Sequence, residues 1–257
     1  MRRPVRRLLP DAVDAVAVRA QPPGETLSEG QRGEVLLLTQ QLPHLAVEGH
    51  RVQPYDPPRV EVVLRSQLPS WFQQVAELEA RATEVCTFQA TMIHGLLQTP
   101  AYARATLSAL RRNDLDDRTA VRLARQRIFE KEEPPVFWMV ISEAALYQEI
   151  GDKETMRGQL THLLSFESDP QINIQVLPFS AGAHAGLTGS FNLYRFGSDP
   201  TIVYTEGYGS GHPTANPDTV KDCTLRYDHL RAAALSLRDS AELIRRAMED
   251  RYGEQLA

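Results

Sequence analysis

Only two cysteines, Cys86 and Cys223, occur in the 257 residues. The two could form one disulfide, but so sparse a thiol usage reads as ordinary buried or neutral cysteines and fits a cytoplasmic chain. Long apolar runs are missing as well: stretches such as Val35–Leu38 and Val136–Ile141 fall far short of the roughly 18 residues a membrane span needs. Residues 2–7 (Arg-Arg-Pro-Val-Arg-Arg) carry the charge of a secretory leader. Leu8 to Ala20 nevertheless contains Asp11, Asp14 and Arg19, so it cannot act as a signal-peptide core, and a cytoplasmic location is expected. Lysine is scarce, with Lys131, Lys153 and Lys221 against 25 arginines, a bias typical of GC-rich bacterial genomes. Nor is there excess positive charge: 28 basic against 33 acidic residues give a net charge of −5 and a pI near 5.8. A whole-surface nucleic-acid binder is disfavoured by that balance.

Familiar catalytic signatures are also lacking. The seven histidines (His44, His50, His94, His162, His184, His212, His229) show no i, i+3 or i, i+4 pairing, and there is no CxxC or HExxH. No GxGxxG, GxxxxGK[ST] or GxSxG is present. Neither a metal site nor a bound cofactor is expected.

What remains is a globular composition, 42% hydrophobic and 24% charged, long enough to build a core without staples. About half of the 17 prolines fall in residues 1–69. Proline breaks regular elements, so this region reads as short pieces joined by turns. A short helix is expected at Gly33–Leu42, a linker at Gln53–Pro58 and a strand at Arg59–Leu64, with Met1–Arg7 an unpacked tail. Residues 70–257 form a second, more regular region. Trp71, Val75, Leu78, Ala82 and Val85 recur at helical spacing, and Cys86–Thr91 fits a strand or a bend. Thr99-Pro100 starts a helix that runs to about Leu110, and Asp116 or Asp117 opens another through Lys131. Val136–Ser142 is a continuous apolar run, as in a central strand covered on both faces.

Short helices are expected at Glu143–Ile150 and Glu154–Phe166, and a strand at Gln171–Phe179. Ser190–Phe196 and Thr201–Glu206 form a hairpin about Gly197-Ser198-Asp199-Pro200. Helices over Thr219–Leu235 and Arg238–Tyr252 close the chain, the latter capped by Ser236 with Asp239 at the capping-box position. Leu225, Leu230 and Ala234 read as a core stripe. The expected fold is α/β or α+β: a mixed sheet of about five strands flanked by amphipathic helices, with two C-terminal helices.

Two groups of residues carry candidate chemistry. Gly182, Gly186 and Gly189 surround His184 in a loop between strands, where backbone can approach a ligand. Ser190 follows, and Tyr204 and Glu206 share one face of the next strand, with Tyr208 beyond. Glu206 and His184 form a candidate acid–base pair if the loop folds over that strand, with Tyr204 as a third catalytic candidate. Arg118, Arg122 and Arg125 make one helical stripe, suited to phosphate or an acidic partner, although Asp114, Asp116 and Asp117 are at hand for internal pairing. The candidate ligand-binding set is Arg122, Arg125, His184, Ser190, Tyr204 and Glu206.

Several phrases recur in a recognisable order. They are Leu78-Glu-Ala-Arg-Ala82, Gly95-Leu-Leu-Gln-Thr-Pro-Ala-Tyr-Ala-Arg-Ala105, Arg122-Leu-Ala-Arg-Gln-Arg127 and Met156-Arg-Gly-Gln-Leu-Thr-His-Leu-Leu164. Val176-Leu-Pro-Phe-Ser-Ala-Gly-Ala-His184, Gly189-Ser-Phe191, Ile202-Val-Tyr-Thr-Glu206 and Leu230-Arg-Ala-Ala-Ala-Leu235 follow. Together, over about Leu68 to Ala247, they resemble the effector domain that follows a helix-turn-helix in WhiJ-like and AbaA-like regulators of actinobacteria such as Streptomyces, a domain of unknown function. Relatives tend to have proline where this chain has His94. The resemblance implies a regulator-like context in development or secondary metabolism, and it transfers no catalytic residue. Met1–Pro69 holds no recognisable helix-turn-helix, so direct, specific DNA binding is not expected. Gly189-Ser-Phe-Asn192 also matches the Gly-Ser-x-Asn of phospholipase D-like proteins, but the accompanying histidine–lysine pair is missing.

The expected function is a sensing and interaction module for a small molecule or a small acidic partner protein. Homodimerisation is compatible with it, and a membrane role is not. The alternative is a stand-alone, metal-independent enzyme recruited into natural-product biosynthesis.

Overall fold

The computed structural model describes residues 70–109, 114–207 and 210–253. The expected elements at Gly33–Leu42 and Arg59–Leu64, the linker and tail, Leu110 and Tyr208 lie outside the described residues. The chain runs α1 (Ser70–Arg81), β1 (Glu84–Gln89), a 3-10 turn (Gly95–Leu97), α2 (Pro100–Ser108), α3 (Leu115–Ala124) and a second 3-10 segment (Arg125–Glu130). It continues with β2 (Val136–Ser142), α4 (Ala144–Tyr147), α5 (Lys153–Leu164), β3 (Ile172–Leu177) and a 3-10 turn (Phe179–Ala181). The last part is β4 (Phe191–Arg195), β5 (Ile202–Gly207), β6 (Ser210–Thr214), α6 (Pro217–Ala233) and α7 (Leu237–Tyr252).

Among the described residues, six strands form one mixed sheet in the order β3-β2-β1-β4-β5-β6. β1 pairs in parallel with β2, and β2 with β3, while β1–β4, β4–β5 and β5–β6 are antiparallel. The fold is therefore α+β with one strand more than the sequence pattern indicates. The additional strand, β6, carries Gly211 and Pro213 and no apolar alternation; proline is tolerated there because, among the described residues, β6 is an edge strand beside β5.

Side chains alternate between the two faces of the sheet. Val85, Phe137, Met139, Ile141, Ile172, Val176, Tyr194 and Tyr204 belong to a core shared with α1, α2, α4, α5 and α7. Cys86, Phe88, Val140, Leu177, Phe191, Leu193 and Val203 belong to a second core beneath Tyr227 and Leu230 of α6. β1 is thus a central strand, and Val85 belongs to it, whereas helical spacing had extended α1 that far. Leu225, expected in the α6 core stripe, is exposed because the helix turns it away from Tyr227 and Leu230.

Local sequence explains the helix ends. Thr99 accepts a hydrogen bond from Tyr102 N, and Pro100 occupies the first turn of α2. Ser236 accepts from Asp239 N and donates to Asp239 Oδ2, fixing the start of α7. Leu235 before α7 and Ser240 in its first turns close the β3 edge: Leu235 N donates to Val176 O and Ser240 Oγ accepts from Val176 N.

Candidate functional site

α3 and the 3-10 segment after it carry the arginine stripe over the core that contains α1. Arg118 Nε donates to Asp114 Oδ2 at 2.5 Å, and Arg104 pairs with Asp116. Arg125 reaches deeper. Its Nε donates to Glu79 Oε2 at 2.7 Å and its Nη2 to Glu79 Oε1, a side-on fork onto a carboxylate with no solvent exposure. Burial by itself lowers the Arg125 pKa, but the Glu79 charge and hydrogen bonds raise it overall, so the guanidinium stays charged. Removing one partner of such a pair strands the other's charge and costs about 3–5 kcal/mol.

Arg122 lies one turn earlier and is not so served. Its Nη1 donates to Gln98 Oε1 at 3.2 Å, while its buried Nε has no hydrogen-bond partner. Among the described residues no carboxylate stands within ion-pair distance of it. Leaving a buried donor unpaired costs about 1–3 kcal/mol, which marks this guanidinium as unusual for a folded interior. Burial and the neighbouring Arg125 push its pKa down to about 10, and Glu206 pulls the other way.

The Gly95–Pro100 phrase holds these groups in place. Gln98 donates to Ile93 O at 2.8 Å, Gln126 to Gln98 O at 2.7 Å, and Gln159 of α5 to Leu97 O at 2.7 Å. His94 Nδ1 accepts from Leu96 N at 3.2 Å. Its ring tilts against Phe137, and burial, Arg125 and Arg122 push its pKa down to about 3. It is neutral throughout the physiological range.

The sheet supplies the opposite wall. Tyr204 donates to Glu206 Oε1 at 3.3 Å, and both lie on the Arg125 face of β5. The Tyr204 hydroxyl occupies space that a side chain at residue 211 would need: a Cβ on Gly211 would fall 2.2 Å from it. Burial and Glu206 raise the Tyr204 pKa, and burial and Glu79 raise that of Tyr194. Beside them, Thr87 donates to Asn192 Oδ1 at 2.6 Å, Gln89 to Thr87 Oγ1 at 2.7 Å, and Asn192 Nδ2 to the Tyr194 hydroxyl at 3.3 Å.

Arg122, Arg125, Tyr204 and Glu206 are therefore gathered on one side of the sheet. His184 is not among them. Its ring meets Phe88 edge-on at 5.8 Å, on the α6 face, and its Nδ1 accepts from Gly186 N. The sheet separates it from Glu206, so the acid–base pairing of these two does not form in this arrangement. Ser190 Oγ accepts from Ala90 N at 3.0 Å and pins the loop to the end of β1.

Glu79, Gln98 and Tyr194 were not singled out from the sequence, and His94 and Asn192 were noted only in motif comparisons, not as candidates for this site. Glu79 had a signal: it falls on the inward stripe of α1 between Val75, Leu78 and Ala82, where a carboxylate needs a buried partner. A separate groove of about 450 Å³ lies between α5, β3 and α7, at the other end of the sheet. It is lined by apolar groups such as Leu163, Phe166 and Leu237 together with the polar Asp169, Asn173 and Arg238. Among the described residues there is no group of three metal-ligating side chains, and no helix is long and apolar enough to cross a membrane. Cys86 and Cys223 are free thiols.

Fold and site together define an α+β domain with an arginine–tyrosine–carboxylate layer between its helices and one sheet face, buried at Glu79 and Tyr204, half-buried at the arginines and exposed at Glu206. The family model for a domain of unknown function, DUF5753, matches residues 72–246, and the chain belongs to that family. No curated protein matches the chain.

Proposed function

We propose that this domain is a sensing and interaction module that binds a small-molecule ligand between Arg122 and the Tyr204–Glu206 pair. The observation that carries this reading is the Arg122 guanidinium, buried at Nε without a hydrogen-bond partner and without a carboxylate beside it. Buried charges are ordinarily paired, and a binding site is where an unpaired one serves a purpose. The resemblance to effector domains of actinobacterial regulators supports a cytoplasmic setting in development or secondary metabolism. A small acidic partner protein is the less favoured occupant, because a covered Nε suits a small group better than a protein surface.

Binding is favoured over catalysis by the electrostatics of the same layer. General acid–base chemistry works best with a group that titrates near neutrality. Here His94 is held down to about 3, the phenols of Tyr194 and Tyr204 are raised, and Arg125 is locked to Glu79. A thermal-shift screen of small metabolites against the purified chain tests the reading. A ligand at about 100 times its Kd stabilises the fold by about 2.7 kcal/mol, and that gain should disappear in Arg122→Gln. A ligand consumed during the assay points to the enzyme alternative. One whose stabilisation survives Arg122→Gln refutes this site.

A further inference from the structure

Resting on the sensing function proposed above, we infer that the ligand is a small organic monocarboxylate held side-on by the Nε–Nη2 edge of Arg122. A guanidinium offers carboxylates two-pronged edges, and the Nη1 end of Arg122 is engaged by Gln98. The remaining edge pairs Nε, which is buried and unpartnered, with Nη2. Arg125, three residues on, shows how this fold fills the same edge: its Nε and Nη2 grip the two oxygens of Glu79. What Glu79 supplies to Arg125 from within the chain, a ligand carboxylate supplies to Arg122 from outside.

Local charge selects a single negative charge over a double one. Arg125 and Glu79 cancel each other, leaving Glu206 as the carboxylate whose charge acts on Arg122. One incoming negative charge is matched by the Arg122 fork. A phosphate dianion brings a second charge toward Glu206 and the Tyr204 hydroxyl bonded to it, where like charges repel. Glu206 is exposed at the end of β5, whereas Tyr204 is buried.

The test follows the Arg122 Nε–Hε signal in proton–nitrogen spectra of the full chain, assigned by its loss in a folded Arg122→Lys variant. Titrating sodium benzoate should move it to saturation, while benzamide and inorganic phosphate at matched ionic strength leave it in place. Lysine keeps the charge without the fork, so benzoate affinity should fall about ten- to a hundredfold in that variant. Arg104→Gln, at an exposed arginine, should leave affinity unchanged. An equal response to phosphate overturns the monocarboxylate assignment. So does a protected Nε–Hε signal that no anion moves, since a bridging water then satisfies it. If a screened ligand depends on Arg122 yet is neutral or cationic, this inference falls and the sensing site stands. If no screened ligand depends on Arg122, the site itself is refuted.

Discussion

His94 shows how one buried side chain leaves a mark on bulk stability. Folding lowers its pKa from 6.5 to about 3, first through burial and then through Arg125 and Arg122. Below pH 6.5 the unfolded chain takes up a proton that the folded chain refuses. The contribution of His94 is therefore flat above that pH and falls as pH drops toward 3, by about 1.4 kcal/mol per pH unit once well inside the window. His94→Asn removes the titration and keeps an acceptor for Leu96 N. Urea midpoints from pH 7.5 to 5 should show a shallower acid-side loss for the variant than for the parent. Equal slopes would mean that His94 is protonated in the fold or exposed to water. His162, also lowered by burial, acts in the same direction in both proteins and cancels in the comparison.

Among the elements, the His184 loop changes its meaning most between sequence and structure. Three glycines around a histidine suggest backbone open to a ligand. Gly189 does adopt a φ of 122°, which L side chains rarely reach. Gly186 is small for another reason: a Cβ there would lie 2.2 Å from the Phe88 ring, so the loop is packed onto the α6 face of the sheet. Gly186→Ala should lower stability by about 1–3 kcal/mol through overpacking. Adding Phe88→Leu should recover part of that loss in the melting temperature. A fully stable single variant would show that the loop stands clear of the sheet. Elements ruled by local chemistry were legible: the Thr99-Pro100 start of α2, the Ser236–Asp239 cap of α7 and the β4–β5 hairpin. β6 was not, because Ser-Gly-His-Pro-Thr has no apolar alternation and a single β-branched residue, Thr214, and its place comes from its pairing with β5.

For the molecule as a whole, net charge and the use of its arginines agree. Arg104, Arg118 and Arg125 are paired with Asp116, Asp114 and Glu79, so the basic stripe is largely neutralised within the chain. With a net charge of −5, little is left to release counterions from a phosphate backbone. Purified protein should give no sequence-selective, salt-dependent shift of duplex DNA in a gel; such a shift would contradict this. The fold class was legible because periodicity changes from helical to alternating along the chain. The site was legible only in its parts. Arg122, Tyr204 and Glu206 stood out as residue types, but the place of the β4–β5 hairpin in the sheet depends on the β1–β4 pairing across more than 100 positions.

That long-range pairing also sets an order on biosynthesis. β1 finds its parallel neighbour when Val136 follows Glu84, yet its antiparallel neighbour ends at Arg195, 111 positions downstream. At about 5–20 residues per second, a translating ribosome leaves that second edge open for about 5–20 s. The open edge belongs to the most buried strand of the sheet, with Val85, Cys86 and Phe88 all at 0% exposure in the finished fold. A nascent chain halted between β3 and β4 therefore displays a three-stranded parallel half whose bare border is the future centre of the protein. Chaperone capture, or aggregation in its absence, should concentrate in that interval.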